Sequence, residues 1–425
     1  MRALGRSIGG RWTPALGVWL ALVCLWTGLI PGPGASPAAA GEAWSLARCL
    51  EHAREHAPEV MLRQKELASS RLDVEDAAVR FHPDVAVRVG YDLGEIGGDE
   101  AWVGELLVSD ILRGYRQIYD DRLAAIQSEI SQLTLERTRA WLELKVGQTF
   151  LRLLAGLKKV ELEERLLSLA REKEAALKIL LGRGLRTPVE ARQAGLAARA
   201  LELDLKDLEE ENRLLNERLK VLIGLKPEAE LRIESSGSVS EALAGLVEPG
   251  GENLDVALSE LERRALAENE RILKLEKYPS PVISTGWASG SSYQNDGFFL
   301  LVGFRIPLYT AGRQDRRIER QGLKLARQTI EIERLKRSLD LRRSELESQA
   351  ARTAERLALS RQMVGLAEDQ SRLLAEDYSL GRIQIEALLA SRVEQEQRRS
   401  EVVEAELDLS LSRWSLRALE RVSVE

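Results

Sequence analysis

The chain has 425 residues, of which 30% are charged and only 5% aromatic. Alanine, leucine, glutamate and arginine dominate long stretches, a composition of long helices rather than of a compact α/β enzyme. The 61 basic and 67 acidic residues leave a net charge of −6, which argues against a general nucleic-acid binder, and three histidines with two cysteines offer little material for a metal or nucleophile centre.

Residues 1–40 read as a secretory signal: Arg2, Arg6 and Arg11 precede an apolar or small run from Ala15 to Ile30, and Ala38-Ala39-Ala40 fits the small-x-small cleavage rule. An uncleaved inner-membrane anchor is the competing reading, although the run is just short of a comfortable span. Cys24 follows Val23 rather than a small residue, which argues against a lipoprotein cysteine. Cleavage leaves Cys49 as the one remaining thiol, so no intrachain disulfide can form. Beyond the signal no apolar run approaches the ~20 residues of a membrane helix, so insertion into a bilayer would have to be made by β-strands.

The remainder divides into inbound helices (41–80), a β-hairpin (81–110), a long helical hairpin (111–223), a connecting segment (224–253), a shorter inbound helix (254–277), a second β-hairpin (278–310), a second long helical hairpin (311–421) and a tail (422–425). The order repeats because the chain is duplicated. Gly184-Leu185-Arg186-Thr187 lies opposite Gly381-Arg382-Ile383-Gln384 at an offset of 197. His82-Pro83 through Tyr91 lies opposite Tyr278-Pro279 through Trp287 at 196, and Ser109 to Leu112 opposite Ile306 to Tyr309 at 197.

In each hairpin one strand alternates cleanly: Val85, Val87, Val89, Tyr91 and Leu93 in the first, and Phe298, Leu300, Val302, Phe304 and Ile306 in the second. A period of two marks strands with one face in an apolar medium. The partner strands, Trp102 to Val108 and Val282 to Ala288, alternate less cleanly, and glycine-rich loops join each pair. Four strands of about nine to eleven residues match the length that crosses a bilayer obliquely. Of the 17 aromatics beyond residue 40, 12 lie in 81–119 and 278–309, among them Tyr91, Trp102, Trp287, Phe298, Phe304 and Tyr309. Concentration at strands and their ends fits an interfacial girdle; plain strand propensity is the alternative.

Two proline-free helical patterns run from Gly114 to Leu181 and from Gly312 to Leu380, each ~100 Å long at about 1.5 Å per residue. A seam of Ile126, Ile130, Leu133, Ala140, Leu144, Leu151 and Leu154 is interrupted by Arg137 and Gly147. The return helices, Pro188 to Leu222 and Gln384 to Leu419, are half as long. Stacking the first on the second inbound helix, and the C-terminal one on the N-terminal helix, would make up the length and give a two-layered helical wall with a small sheet at one end.

Four strands cannot close a barrel, and open edges are not tolerated in hydrocarbon, so the chain is expected to oligomerise; three copies give twelve strands. The signal peptide, the phrase Ser45-Leu-Ala-Arg-Cys-Leu-Glu-His-Ala53 through Pro58-Glu-Val60, the junction Gly303-Phe-Arg-Ile-Pro307-Leu-Tyr309-Thr-Ala-Gly312-Arg313 and the two glycine turns together resemble the TolC family of outer-membrane efflux and export channels, over residues 42–421. The resemblance implies a mainly α fold with a small membrane β-barrel portion. It implies a homotrimer, with a twelve-stranded barrel in outer-membrane lipid and an α-barrel in the periplasm. It also implies a periplasmic adaptor protein coupled to an inner-membrane transporter, and no enzyme activity, cofactor or resident metal. Gly184, Leu185, Arg186 and Thr187 resemble the family's adaptor-contact tip, with Gly381, Arg382, Ile383 and Gln384 as the weaker counterpart. A glycine C-cap and a threonine N-cap before Pro188 explain the same residues without a partner.

Two departures stand out. The second inbound helix is short, and neither tip turn carries the acidic gating ring of some members. Arg183, Arg186 and Arg382 lie there instead, near Asp377, Glu190 and Glu386; arginines reaching a pore would favour anions, whereas pairing with those acids would not. Opening would come from a partner shifting the balance between two packings of the inner helices. His52-Ala-Arg-Glu55-His56 fits an inverted zinc-peptidase pattern, but catalysis needs a third ligand from another element. A periplasmic adaptor, with one helical hairpin between β-rich domains, and a structural coiled coil are the alternatives from other classes.

Overall fold

The computed structural model describes residues 43–78, 84–92, 101–109, 116–234, 253–289, 297–305 and 311–423. The signal segment, the strand-connecting loops and Tyr309 lie outside them. The elements are α1 (Leu46–His56), α2 (Pro58–Ala78), β1 (Asp84–Asp92), β2 (Ala101–Ser109), α3 (Arg116–Gly182), α4 (Pro188–Ile223), α5 (Leu254–Leu275), β3 (Ser280–Ser289), β4 (Gly297–Arg305), α6 (Arg313–Ser379) and α7 (Ile385–Leu419). The protein is predominantly helical, and none of the described helices is long and apolar enough to cross a membrane.

Both halves contribute to one antiparallel sheet in the order β1-β2-β3-β4. Each hairpin pairs along its full length, and the halves join where β2 meets β3, from Gly104↔Ser289 to Val108↔Thr285. The duplication holds at single-residue register. Tyr91 faces Trp102 across β1 and β2, and Trp287 faces Phe298 across β3 and β4. Both pairs lie one residue from the loop end of their own hairpin, but the hairpins are staggered, since Trp287 faces Leu106 across β2 and β3, four residues along from Trp102.

α3 and α6 are 67 residues each. Toward the tip turns the close packing runs α4, α3, α7, α6; toward the sheet it runs α2, α3, α5, α6. This corrects the two-layered expectation: the wall is one helix thick, with shorter helices in two tiers. The stacking partners are also the reverse of those expected. Below α1, the C-terminus of α4 meets the N-terminal helices: His52 Nδ1 lies 2.9 Å from the Ile223 carbonyl, and a Cβ added to Gly224 would stand 2.3 Å from the His56 carbonyl oxygen. Below α5, the end of α7 is tied by Leu254 N–H to Arg421 O (2.8 Å) and Asn253 Nδ2 to Leu419 O (2.9 Å). Each return helix thus completes the inbound helix of its own half. Helix lengths alone permit either pairing; these terminal contacts select one.

The main core sits where these tiers meet, around Trp44, Leu50, Val60, Leu142, Leu151, Leu219 and Trp414. Fully burying one such leucine contributes about 1.5–3 kcal/mol. Cys49 is buried there, and desolvation pushes its thiol up to about 12, leaving it unreactive. The two residues that break the apolar seam of α3 have specific reasons. At Gly147 a Cβ would meet the Trp414 indole at 2.3 Å. Glycine is what lets Trp414 dock and donate its Nε1–H to Leu144 O at 3.1 Å. Arg137 Nε reaches Asp255 Oδ1 at 2.5 Å, while Asp255 Oδ2 accepts from Ser423 N and Oγ at 2.7 Å each. That carboxylate therefore fastens α3 and the chain end to the start of α5.

A different device joins α5 to α6. Gln314, Gln321 and Gln328, seven residues apart, donate Nε2–H to the carbonyls of Leu273, Leu266 and Ser259, also seven apart, at 2.8, 3.0 and 3.4 Å. This polar ladder fixes the register of two antiparallel helices in the way a single buried polar residue does in a coiled coil.

Candidate functional site

The end of the helical wall opposite the sheet is made by two turns of the same construction. Helix α3 ends in a Schellman motif: Gly184 adopts φ +72, Gly184 N–H bonds Leu181 O at 2.9 Å and Leu185 N–H bonds Leu180 O at 3.0 Å. Helix α6 repeats it, with Gly381 at φ +69, Gly381 N–H to Tyr378 O at 3.0 Å and Arg382 N–H to Asp377 O at 2.9 Å. Only a residue without a Cβ takes this backbone conformation without strain.

The two turns differ in how the next helix starts. Thr187 and Glu190 form a capping box, Thr187 Oγ1 accepting from Glu190 N–H (3.4 Å) and Glu190 Oε2 from Thr187 N–H (3.0 Å). The Thr187 backbone N–H is the main reason the Glu190 carboxyl is held below the usual range, with Arg186 adding to it. Gln384 caps α7 with no side-chain bond, because its amide oxygen accepts instead from Arg186 Nη2 at 2.9 Å.

Arg186 joins the two turns. Its Nε lies 3.1 Å from Glu386 Oε1, its Nη2 also bonds Glu386 Oε2, and its Nη1 stands 3.6 Å from Glu190. Arg382 pairs with Asp377 inside its own turn at 3.3 Å. Of the three arginines expected near a gate, two are therefore engaged by the neighbouring acids, while Arg183 is exposed. Leu185 is exposed and Ile383 is half-buried. Behind Arg186 an open cleft lies between α3, α4 and α7, floored by Ala170, Leu177, Ala194, Ala197 and Ala390.

At the other end, Phe298, Leu300, Val302 and Phe304 on β4 are 63–72% exposed. Phe298 and Phe304 of the expected girdle thus stand on the outer face of an edge strand. Tyr91, Trp102 and Trp287 are placed by register alone, and their side chains lie outside the described ones.

Two exposed apolar stripes were not anticipated from the sequence, although their spacing could have revealed them. Val189, Leu196 and Leu203 on α4, and Leu359, Leu366 and Leu373 on α6 with Leu380 at its C-cap, recur every seven residues and are all exposed. α4 and α6 terminate opposite ends of the packing row, so these are its two uncovered edges. Both stripes start at the tip turns and climb the wall with the same step. Toward the sheet the edges are α2 and α6, and they expose Met61, Leu62 and Leu72 on one side and Leu323, Ile330 and Leu341 on the other.

This architecture, long antiparallel helices carrying a small antiparallel sheet at one end, is the fold of the outer-membrane channels of the TolC family. Among solved structures the chain is similar to VceC of Vibrio cholerae, an outer membrane protein, with a TM-score of 0.70 and 16% identity over 89% of this chain and 96% of that one. It is similar to the MtrE outer membrane channel of Neisseria gonorrhoeae, crystallised in its open state, with a TM-score of 0.73 and 14% identity over 88% and 89%. It is also similar to CusC, whose structures describe folding and transmembrane channel formation, with a TM-score of 0.74 and 13% identity over 89% and 92%. No protein-family profile and no curated protein sequence matches the chain.

Proposed function

We propose that the chain is one protomer of a homotrimeric outer-membrane channel. Its sheet joins two others as a twelve-stranded barrel in the lipid, and its helices continue the wall as a tunnel in the periplasm. The carrying observation is that, among the described residues, both the sheet and the helical wall of the protomer end in uncovered edges. The sheet ends in two open edges, β4 presents an exposed apolar face, and α4 and α6 carry matching seven-residue apolar stripes. In water such stripes are coiled-coil seams lacking a partner. In hydrocarbon an open sheet edge is not tolerated. A second copy satisfies both at once, with β1 against β4 and α2 and α4 against α6. Two copies would close eight strands, an interior that side chains fill; three leave a conduit.

In this reading Gly184 to Thr187 and Gly381 to Gln384 are the periplasmic mouth. They contact an adaptor that delivers cargo from an inner-membrane transporter, and the channel makes or breaks no bond. The bond from Arg186 to Glu386 and Gln384 holds the two turns of a protomer together, and opening requires that a partner favour another packing. The test is the native mass of detergent-extracted protein from separated membranes. A heat-sensitive trimer in the outer-membrane fraction is expected. A monomer or dimer in the soluble periplasmic fraction would overturn the proposal. Deleting residues 85–108 separates the channel from a structural coiled coil, because only the channel loses its membrane localisation.

A further inference from the structure

Two of the three histidines in the chain, His52 and His56, lie one turn apart on α1, and their rings stack with centroids 4.3 Å apart and planes at 18°. Spacing of four places both on one helix face. His52 Nδ1 lies 2.9 Å from the Ile223 carbonyl. A carbonyl only accepts, so Nδ1 carries the ring proton and Nε2 keeps its lone pair. Metal-binding histidines are prepared in this way, with the nitrogen that does not touch the metal donating to a carbonyl or carboxylate. The Trp44 ring stands edge-on to His52 at 5.5 Å and limits how far that imidazole can swing. His56 has the opposite character. Its side chain is 57% exposed, with Nδ1 4.0 Å from the Glu55 carboxylate, so it can turn out of the stack.

We infer that His52 and His56 form a surface clamp for a late first-row divalent cation, with Cu2+ held most tightly and Ni2+ and Zn2+ more weakly. Imidazole nitrogen suits these ions, and the order follows their general affinity series. His52 supplies the fixed nitrogen, and rotation of His56 brings the second to the ~2.0–2.1 Å that such bonds require. Among the described residues no group of three His, Cys, Asp or Glu side chains stands together to hold a metal. Water therefore fills the other positions, and the site is an open clamp rather than a closed structural centre or a peptidase. The hydrogen bond from His52 Nδ1 to the last carbonyl of α4 is what holds the fixed ligand in place, so the end of α4 acts on the site through His52 and not through the ion itself.

The test is titration of Cu2+ into the metal-free full-length protein in detergent, followed by electron paramagnetic resonance. The wild type is expected to bind Cu2+ at this site with splitting from two imidazole nitrogens and at least tenfold more tightly than His56→Asn, which keeps one nitrogen at most. His52→Asn should lose the same signal, and His82→Asn should keep it. His56→Asn changes an exposed side chain, so unchanged far-ultraviolet circular dichroism checks that its fold is retained. Identical Cu2+ binding by the wild type and His56→Asn would overturn the clamp, as would a nitrogen signal that disappears only with His82→Asn.

Discussion

Arg186, in the turn after α3, reaches across to Glu386 at the start of α7, a residue 200 positions further along the chain. The contact joins equivalent turns of the two repeats, yet it is not itself repeated. The residue equivalent to Arg186 is Ile383, and Arg382 bonds Asp377 in its own turn instead. The two tips are therefore built alike, but the tie between them rests on a residue present in only one of them.

Arg186→Ala should release this tie. Both side chains are less than one-third exposed, and a pair of this kind contributes about 1 kcal/mol. In planar bilayers the variant is expected to show more frequent openings or higher conductance than wild type, and Glu386→Gln should match it. A double variant no more open than either single one would place both residues in one interaction; additive effects would separate them.

Acidification should act on the same turn. The Glu190 carboxyl is held below its ordinary value by the Thr187 backbone N–H. Its contribution is therefore complete above the unfolded carboxyl range of about 4.3 and is lost as pH falls through the lower folded value. Corrected for its intrinsic pH dependence, hydrogen exchange of the first turn of α4 should become less protected on acidification in wild type. In Glu190→Gln, exchange corrected for its intrinsic pH dependence should be nearly flat over that range.

Gly147→Ala tests the packing of α3 against α7. The added methyl would meet Trp414 at 2.3 Å, and overpacking of this kind costs about 1–3 kcal/mol. Thermal unfolding should shift down, and combining the change with Trp414→Leu should recover part of the loss. An unshifted transition would mean that the two helices can move apart freely at this level.

Leu196→Glu on α4 and Leu373→Glu on α6 test the uncovered edges. If the stripes are subunit seams, either substitution places a charge in a contact where each leucine is worth about 1.5–3 kcal/mol, and the trimer should dissociate in native mass measurements. If α4 and α6 face solvent in the assembly, both variants should remain trimeric.

Leu300→Arg near the middle of β4 tests whether the exposed face of that strand meets lipid. If it does, an arginine there costs about 2–4 kcal/mol, as at the bilayer midplane of a β-barrel. The variant should be depleted from the outer-membrane fraction, while Ser284→Arg, on the strand opposite Leu301, serves as a comparison.

Periodicity is local, and it was legible without coordinates. The period of two in Phe298, Leu300, Val302 and Phe304, the proline-free runs of α3 and α6 and the glycine turns at Gly184 and Gly381 are all set by neighbouring residues and backbone sterics. So is the duplication, because the same local signals recur at one offset. Contacts between distant segments carry no such signal. Which return helix lies under which inbound helix was decided by His52 meeting Ile223 and by Asn253 meeting Leu419, and helix lengths are satisfied by either arrangement. The reasons for Gly147 and Arg137 rest on Trp414 and Asp255, each more than 100 residues away. Whether the tip arginines stand free or paired was likewise settled by the fold, because Arg186 and Glu386 meet only once α3, α4 and α7 have packed.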